Sequence, residues 1–265
     1  MSGPTLVARL LLRPRTPVAL SLVLLSATAW ALLIHQSSTV ALAPHTDGMR
    51  NLDQWCRSIP PTVEHAPMLL TMWLLMSVAM MLPTAAPAIL TFADLAERAR
   101  ATERHLSPPA FIAGYLLVWV AFAIFATLTQ LGLSRATLAL PAAVPALTLT
   151  ALLLLAGAYQ FAPLKHACLT KCRNPMTYFL AHWREGAHGA LTMGLQHGAY
   201  CVGCCWALML LMIAAGTMNA GFTAALAVLM LVEKVAPAGE WVGRVVGVAL
   251  VCWGLLRLVP MVFNS

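Results

Sequence analysis

The chain has 265 residues, of which 60% are hydrophobic and only 9% charged, with a mean hydropathy of +0.81. Soluble domains carry about 25% charged residues, so this composition excludes a water-soluble globular protein and makes a lipid bilayer the solvent. The net charge of +7 sits between apolar runs, a signature of membrane topology rather than of a nucleic-acid-binding face, and no nucleic-acid partner is expected.

In hydrocarbon only helices and closed barrels satisfy every backbone group. The apolar runs here are continuous rather than alternating. They predict an all-α polytopic transmembrane helix bundle, with residues 1–265 as one integral membrane domain. A basic head with Arg9, Arg13 and Arg15 precedes the first apolar run, 17–41. Ala41-Leu42-Ala43 mimics a signal cleavage site. The run is long for a signal core, however, and Pro44 would follow the cut directly, so a retained anchor is expected.

Further spans are predicted at 67–92, 109–133, 137–162, 190–216, 220–236 and 241–262, about seven in all. The segment 176–190, with Phe179, His182, Trp183, Arg184 and Gly186, reads as an interfacial or re-entrant helix. If it crossed, everything after it would invert. A cytoplasmic N-terminus leaves only Arg50, Arg57, Arg135 and Arg257 of the 16 basic residues outside, which predicts N-in, C-out. No phosphate loop, nucleophile elbow or zinc-protease helix occurs, so no catalytic residues are expected.

Residues 163–206 form a Cys/His-rich segment. His197, Cys201, Cys204 and Cys205 share one charge-free helix, with Met193 a turn earlier. At ~100° per residue these five side chains occupy an arc of ~120°, while His188 falls on the opposite face. Upstream, Cys168 and Cys172 stand at helical spacing after His166. Thiolate, thioether and imidazole together select Cu(I), Zn or another soft ion over Mg or Ca. A second soft track, His65, Met68, Met72, Met76 and Met80, recurs at spacings of three and four. It reads as a metal path or, equally, as a packing face filled by flexible thioethers. Glu233 is expected at a helix end, paired with Lys234 or Arg173. Cys56 and Cys252 have no identifiable partner.

The order Pro163-Leu164-Lys165-His166-Ala167-Cys168-Leu169, Cys172-Arg173, His182-Trp183, Met193-Gly194-Leu195, His197-Gly198, Tyr200-Cys201, Gly203-Cys204-Cys205-Trp206, Gly216-Thr217-Met218-Asn219 and Glu233-Lys234 is distinctive. It resembles the bacterial family described as predicted metal-binding integral membrane proteins, a domain of unknown function. Trp73-Leu74-Leu75-Met76 through Met80-Met81-Leu82-Pro83 is similar to that family's other recurrent segment. The resemblance runs over roughly 65–250 and implies the bacterial inner membrane and metal binding, without a settled metal or reaction.

Three functions compete. The first is copper handling, in which Cu(I) is moved or delivered to a cuproenzyme or exchanged with a metallochaperone. Zn is the second choice of metal, since it leaves the methionines unexplained. The second is a thiol–disulfide oxidoreductase using Cys201 and Cys204, disfavoured by the reduced compartment that the topology gives these thiols. The third is a structural or assembly subunit of a membrane complex. Gly-rich faces would also permit homo-oligomers.

Overall fold

Runs of Ala, Leu, Val and Ile, broken mainly by proline and by charged turns, fold into helices throughout the residues that the computed structural model describes: 15–41, 66–98, 106–139, 143–215 and 220–263. Among them are α1 (Arg15–Ala41), α2 (Ala66–Arg98), α3 (Ser107–Ala139), α4 (Ala143–Tyr159), α5 (Pro163–Arg173), α6 (Pro175–His182), α7 (Gly186–Ala215), α8 (Ala220–Val235) and α9 (Gly239–Phe263). The all-α expectation holds, and no strand occurs among the described residues.

The count of seven spans does not hold. Five helices (α1, α2, α3, α7 and α9) are long and apolar enough to cross a bilayer, and the bent pair α4–α5 makes up to six. The expected span 137–162 is instead α4, which ends in a tightened turn. Gln160, Phe161 and Ala162 each bond to the carbonyl three residues back, at 3.2, 3.1 and 3.0 Å. Pro163, which has no N–H to continue the ladder, then starts α5 at an angle of 63°.

The expected span 220–236 is the 16-residue α8, about 24 Å long and short of the ~30 Å hydrocarbon core. The segment 176–190 is two pieces. Helix α6 has 8 residues and is too short to cross, and Gly186, at φ 76°, takes a left-handed turn open to glycine before α7 begins.

Contacts between helices fix their directions. An Arg15–Asp94 ion pair of 2.8 Å joins the start of α1 to the end of α2, so these two run antiparallel. Pro83, inside α2, leaves the Ala79 carbonyl without its helical donor. Trp30 Nε1 (3.0 Å) and Ser26 Oγ (3.3 Å) of α1 donate to that carbonyl instead. Helices α2 and α3 are antiparallel, tied by Trp73 to Gln130 at one level (2.9 Å) and by Tyr115 to Met81 at another (2.9 Å).

Helices α3 and α7 pack closest and run parallel. A Cβ on Gly114 would stand 2.3 Å from Leu191 O, and one on Gly194 would stand 2.1 Å from Phe111 O, so glycine at both positions lets the backbones touch. Large apolar side chains face outward on α1, α3 and α9, among them Leu24, Phe125, Leu128, Trp253 and Leu256.

Candidate metal centre

Helix α7 presents its cysteines to the middle of the bundle because its glycine face binds α3 on one side and α5 covers another. Cys201, Cys204 and Cys205 are each 1% exposed. Cys172 of α5 interacts through its side chain with Cys201 and Cys204, and Cys205 interacts with the same two. The thioether of Met81, on α2, is 3.9 Å from Cys205 Sγ. Tyr115 of α3 donates its hydroxyl to the Met81 carbonyl at 2.9 Å and meets Cys201 Sγ at 3.2 Å. Three helices, α2, α5 and α7, thus bring four thiols and a thioether together, with Cys172 half-buried and the others buried, and α3 adds the Tyr115 hydroxyl.

Lys234, on the last turn of α8, enters the same cluster. Its Nζ donates to Cys201 Sγ at 2.9 Å and to Thr84 Oγ1 at 3.0 Å, and lies 3.7 Å from Met81 Sδ. Glu233 was expected to pair with Lys234 or Arg173, but its carboxylate bonds to Lys165 of α5 at 2.7 Å. Successive residues on a helix point ~100° apart and meet different neighbours. Arg173 donates instead to the backbone oxygens of Glu233 (2.6 Å) and Pro237 (3.1 Å). Gln160 accepts a further bond from Lys165, so α5, α8 and the end of α4 are pinned together beside the thiols. Glu233 and Lys234 are buried inside the bundle rather than set at its rim.

Cys204 and Cys205 turn their thiols to the Cys201 carbonyl, at 3.1 and 3.0 Å. In these rotamers no three His, Cys, Asp or Glu side chains among the described residues form a ready-made chelating set. A rotation about χ1 would release both thiols from that carbonyl. The donor set itself is chemically uniform, thiol and thioether sulfur, and fits a soft d¹⁰ ion.

The other expected residues lie at graded distances. Cys168 is buried behind the cluster, where a Cβ on Gly203 would stand 2.7 Å from its Sγ. His197 is buried one turn from Cys201, in a box of Phe111, Tyr115, Tyr178 and Phe179 whose ring centroids lie 6.0–6.4 Å away, and its Nδ1 has no hydrogen-bond partner among the described residues. The wall of that box is held by Tyr178, whose hydroxyl donates to Gln196 at 2.9 Å. Burial pushes this phenol up to about 12, so it stays a donor.

Met193 is buried another turn away, and the half-buried His166 sits ~200° around α5 from Cys168. On the methionine track, Met72, Met76 and Met80 are buried and Met68 is 40% exposed. His65 and Cys56 lie outside the described residues. Cys252 is exposed on α9.

Sequence reasoning missed Met81, Thr84, Tyr115 and Lys234. A usable signal existed for one of them, because a lysine inside an apolar helix marks a functional site by default.

At the significance required, no curated protein and no solved structure matches the chain. A family model described as PpoB2, copper chaperone, matches residues 70–257, which include all four thiols of the cluster, Met81 and Lys234, and the chain belongs to that family of copper chaperones.

Proposed function

We propose that this protein is a multi-pass protein of the bacterial inner membrane, which holds Cu(I) as cargo in the sulfur cluster and passes it to a metallochaperone or cuproenzyme. The observation that carries this reading is the convergence of the half-buried Cys172 with the buried Cys201, Cys204, Cys205 and Met81. Soft sulfur donors favour Cu(I) over harder ions, and imidazole, which suits Zn as well, stands one turn aside at His197. Ligand exchange between several sulfurs lets a bound ion move without ever being released to water. His197, Met193, Cys168 and His166 then act as neighbouring stations or supports, and Met72, Met76 and Met80 line an approach on α2. Membership of a copper-chaperone family supports the cargo.

Anaerobic purification in detergent, with metals measured by mass spectrometry, tests it. The wild type should carry near-stoichiometric copper after growth with copper, and the Cys201/Cys204/Cys205→Ser variant should carry none. Zinc lost in the same way would reassign the cargo. No metal in either protein, with a Cys201–Cys204 disulfide that cycles, would replace this reading by thiol–disulfide exchange.

A further inference from the structure

The sulfur cluster contains its own cation. Lys234 Nζ reaches Cys201 Sγ (2.9 Å), Thr84 Oγ1 (3.0 Å) and Met81 Sδ (3.7 Å), with the residue 7% exposed. The neighbouring carboxylate does not balance its charge, since Glu233 faces away to Lys165 at 2.7 Å. Lys234 stands in the last turn of α8, the helix end that favours positive charge. A buried ammonium is costly unless an anion compensates it.

Resting on the copper reading, we propose that Lys234 is the counter-cation of the copper centre, and that it sets how tightly the centre holds Cu(I). Binding Cu(I) between two cysteines replaces two S–H bonds by two Cu–S bonds and releases the thiol protons. The product, a monovalent cation between two thiolates, carries one net negative charge. In a bundle this apolar that charge needs a partner within a few ångströms, and the Lys234 ammonium against Cys201 supplies it. Tyr115, 3.2 Å from the same sulfur, adds a hydroxyl but no charge. The loaded centre with Lys234 is neutral overall, whereas loss of the ion with return of both thiol protons leaves the buried ammonium uncompensated, so the lysine favours the loaded state.

The test uses the full-length protein in detergent, with Cu(I) affinity read by competition against a coloured Cu(I) chelator. Lys234→Leu and Lys234→Gln remove the charge; Lys234→Arg keeps it. Glu233 pairs with Lys165 and not with Lys234, so removing the Lys234 charge strands no buried carboxylate, and both neutral variants should elute as monodisperse helical protein without copper. Both should bind Cu(I) about tenfold or more weakly than wild type, with Lys234→Arg within roughly threefold of it. Neutral variants that bind Cu(I) as tightly as wild type, or more tightly, would overturn the proposal; tighter binding would make Lys234 a competitor for the sulfurs. Neutral variants that fail to fold while Lys234→Arg folds would also overturn it, by making the charge a requirement of the copper-free fold. A wild type that binds no Cu(I) would instead sink the copper reading itself.

Discussion

At the scale of single residues, the position of its thioether separates Met81, a member of the sulfur cluster, from a packing methionine. Met80 and Met81 are both essentially inaccessible, at 1% and 0% exposure, but only Met81 has its sulfur against Cys205 and Lys234. Leucine nearly matches methionine in volume, and such swaps cost under ~1.5 kcal/mol in a core. Met81→Leu should therefore leave thermal stability close to wild type while weakening Cu(I) binding about tenfold in chelator competition. Met80→Leu should change neither. Equal losses in both would show that methionine volume, not the Met81 sulfur, supports the centre. The cysteines of this site were legible because Cys201, Cys204 and Cys205 sit within two turns of one helix, where spacing alone places them together. Met81, Tyr115 and Lys234 were not legible in the same way. Each comes from a different helix, and pairing them requires helix directions and rotations that no local spacing encodes.

At the scale of elements, the close contact of α3 with α7 is what delivers Tyr115 to Cys201. Gly194 is the tightest point, where a Cβ would stand 2.1 Å from Phe111 O, whereas a Cβ on Gly132 would meet nothing within 4 Å. Gly194→Ala forces the two backbones apart, an overpacking that costs about 1–3 kcal/mol. It should lower the melting temperature in detergent and weaken copper retention together, because the 3.2 Å contact of Tyr115 with Cys201 lies on the same interface. Gly132→Ala should leave both unchanged. A Gly194→Ala protein that keeps wild-type stability would mean the helices are not packed this tightly. Hydropathy located α1, α2, α3, α7 and α9 well, since each is one uninterrupted apolar run. It overcounted where a run was interrupted from within. Pro163 splits the run ending α4 from α5, and the buried pair Glu233–Lys234 ends α8 at the level of the cysteines instead of carrying it through.

At the scale of the whole molecule, the contacts decide where the two termini lie relative to each other. Helices α1 and α2 are antiparallel through Arg15–Asp94, and α3 and α7 are parallel, with Gly194 on Phe111 and, further along both, Gly198 on Val118. The chain between them must therefore return to its starting end: α4 and α5 bring it to the level of the cysteines, and α6, with Phe179 beside Phe92 and Phe111, brings it the rest of the way before α7 begins. Helix α8 then comes back only as far as the cysteines, where Lys234 meets Cys201. Helix α9 sets out from that depth, because a Cβ on Gly243 would stand 2.9 Å from Glu233 Oε1. It runs antiparallel to α4, with Gly247 beside Gln160 and Gly254 beside Leu154. Helix α9 thus leaves the bundle at the end opposite to the start of α1, although fewer than seven helices cross. Reporter fusions read this directly. With the basic head inside, as the charge bias predicts, a periplasm-dependent phosphatase should be active on the C-terminus. A cytoplasm-dependent fluorescent protein should shine on the N-terminus and stay dark on the C-terminus. Both termini on one side would mean that α8 completes a crossing or that the stretch from α4 to α6 does not. Either outcome would move Lys234 away from Cys201 and dissolve the cluster, so the topology and the sulfur cluster stand on the same contacts.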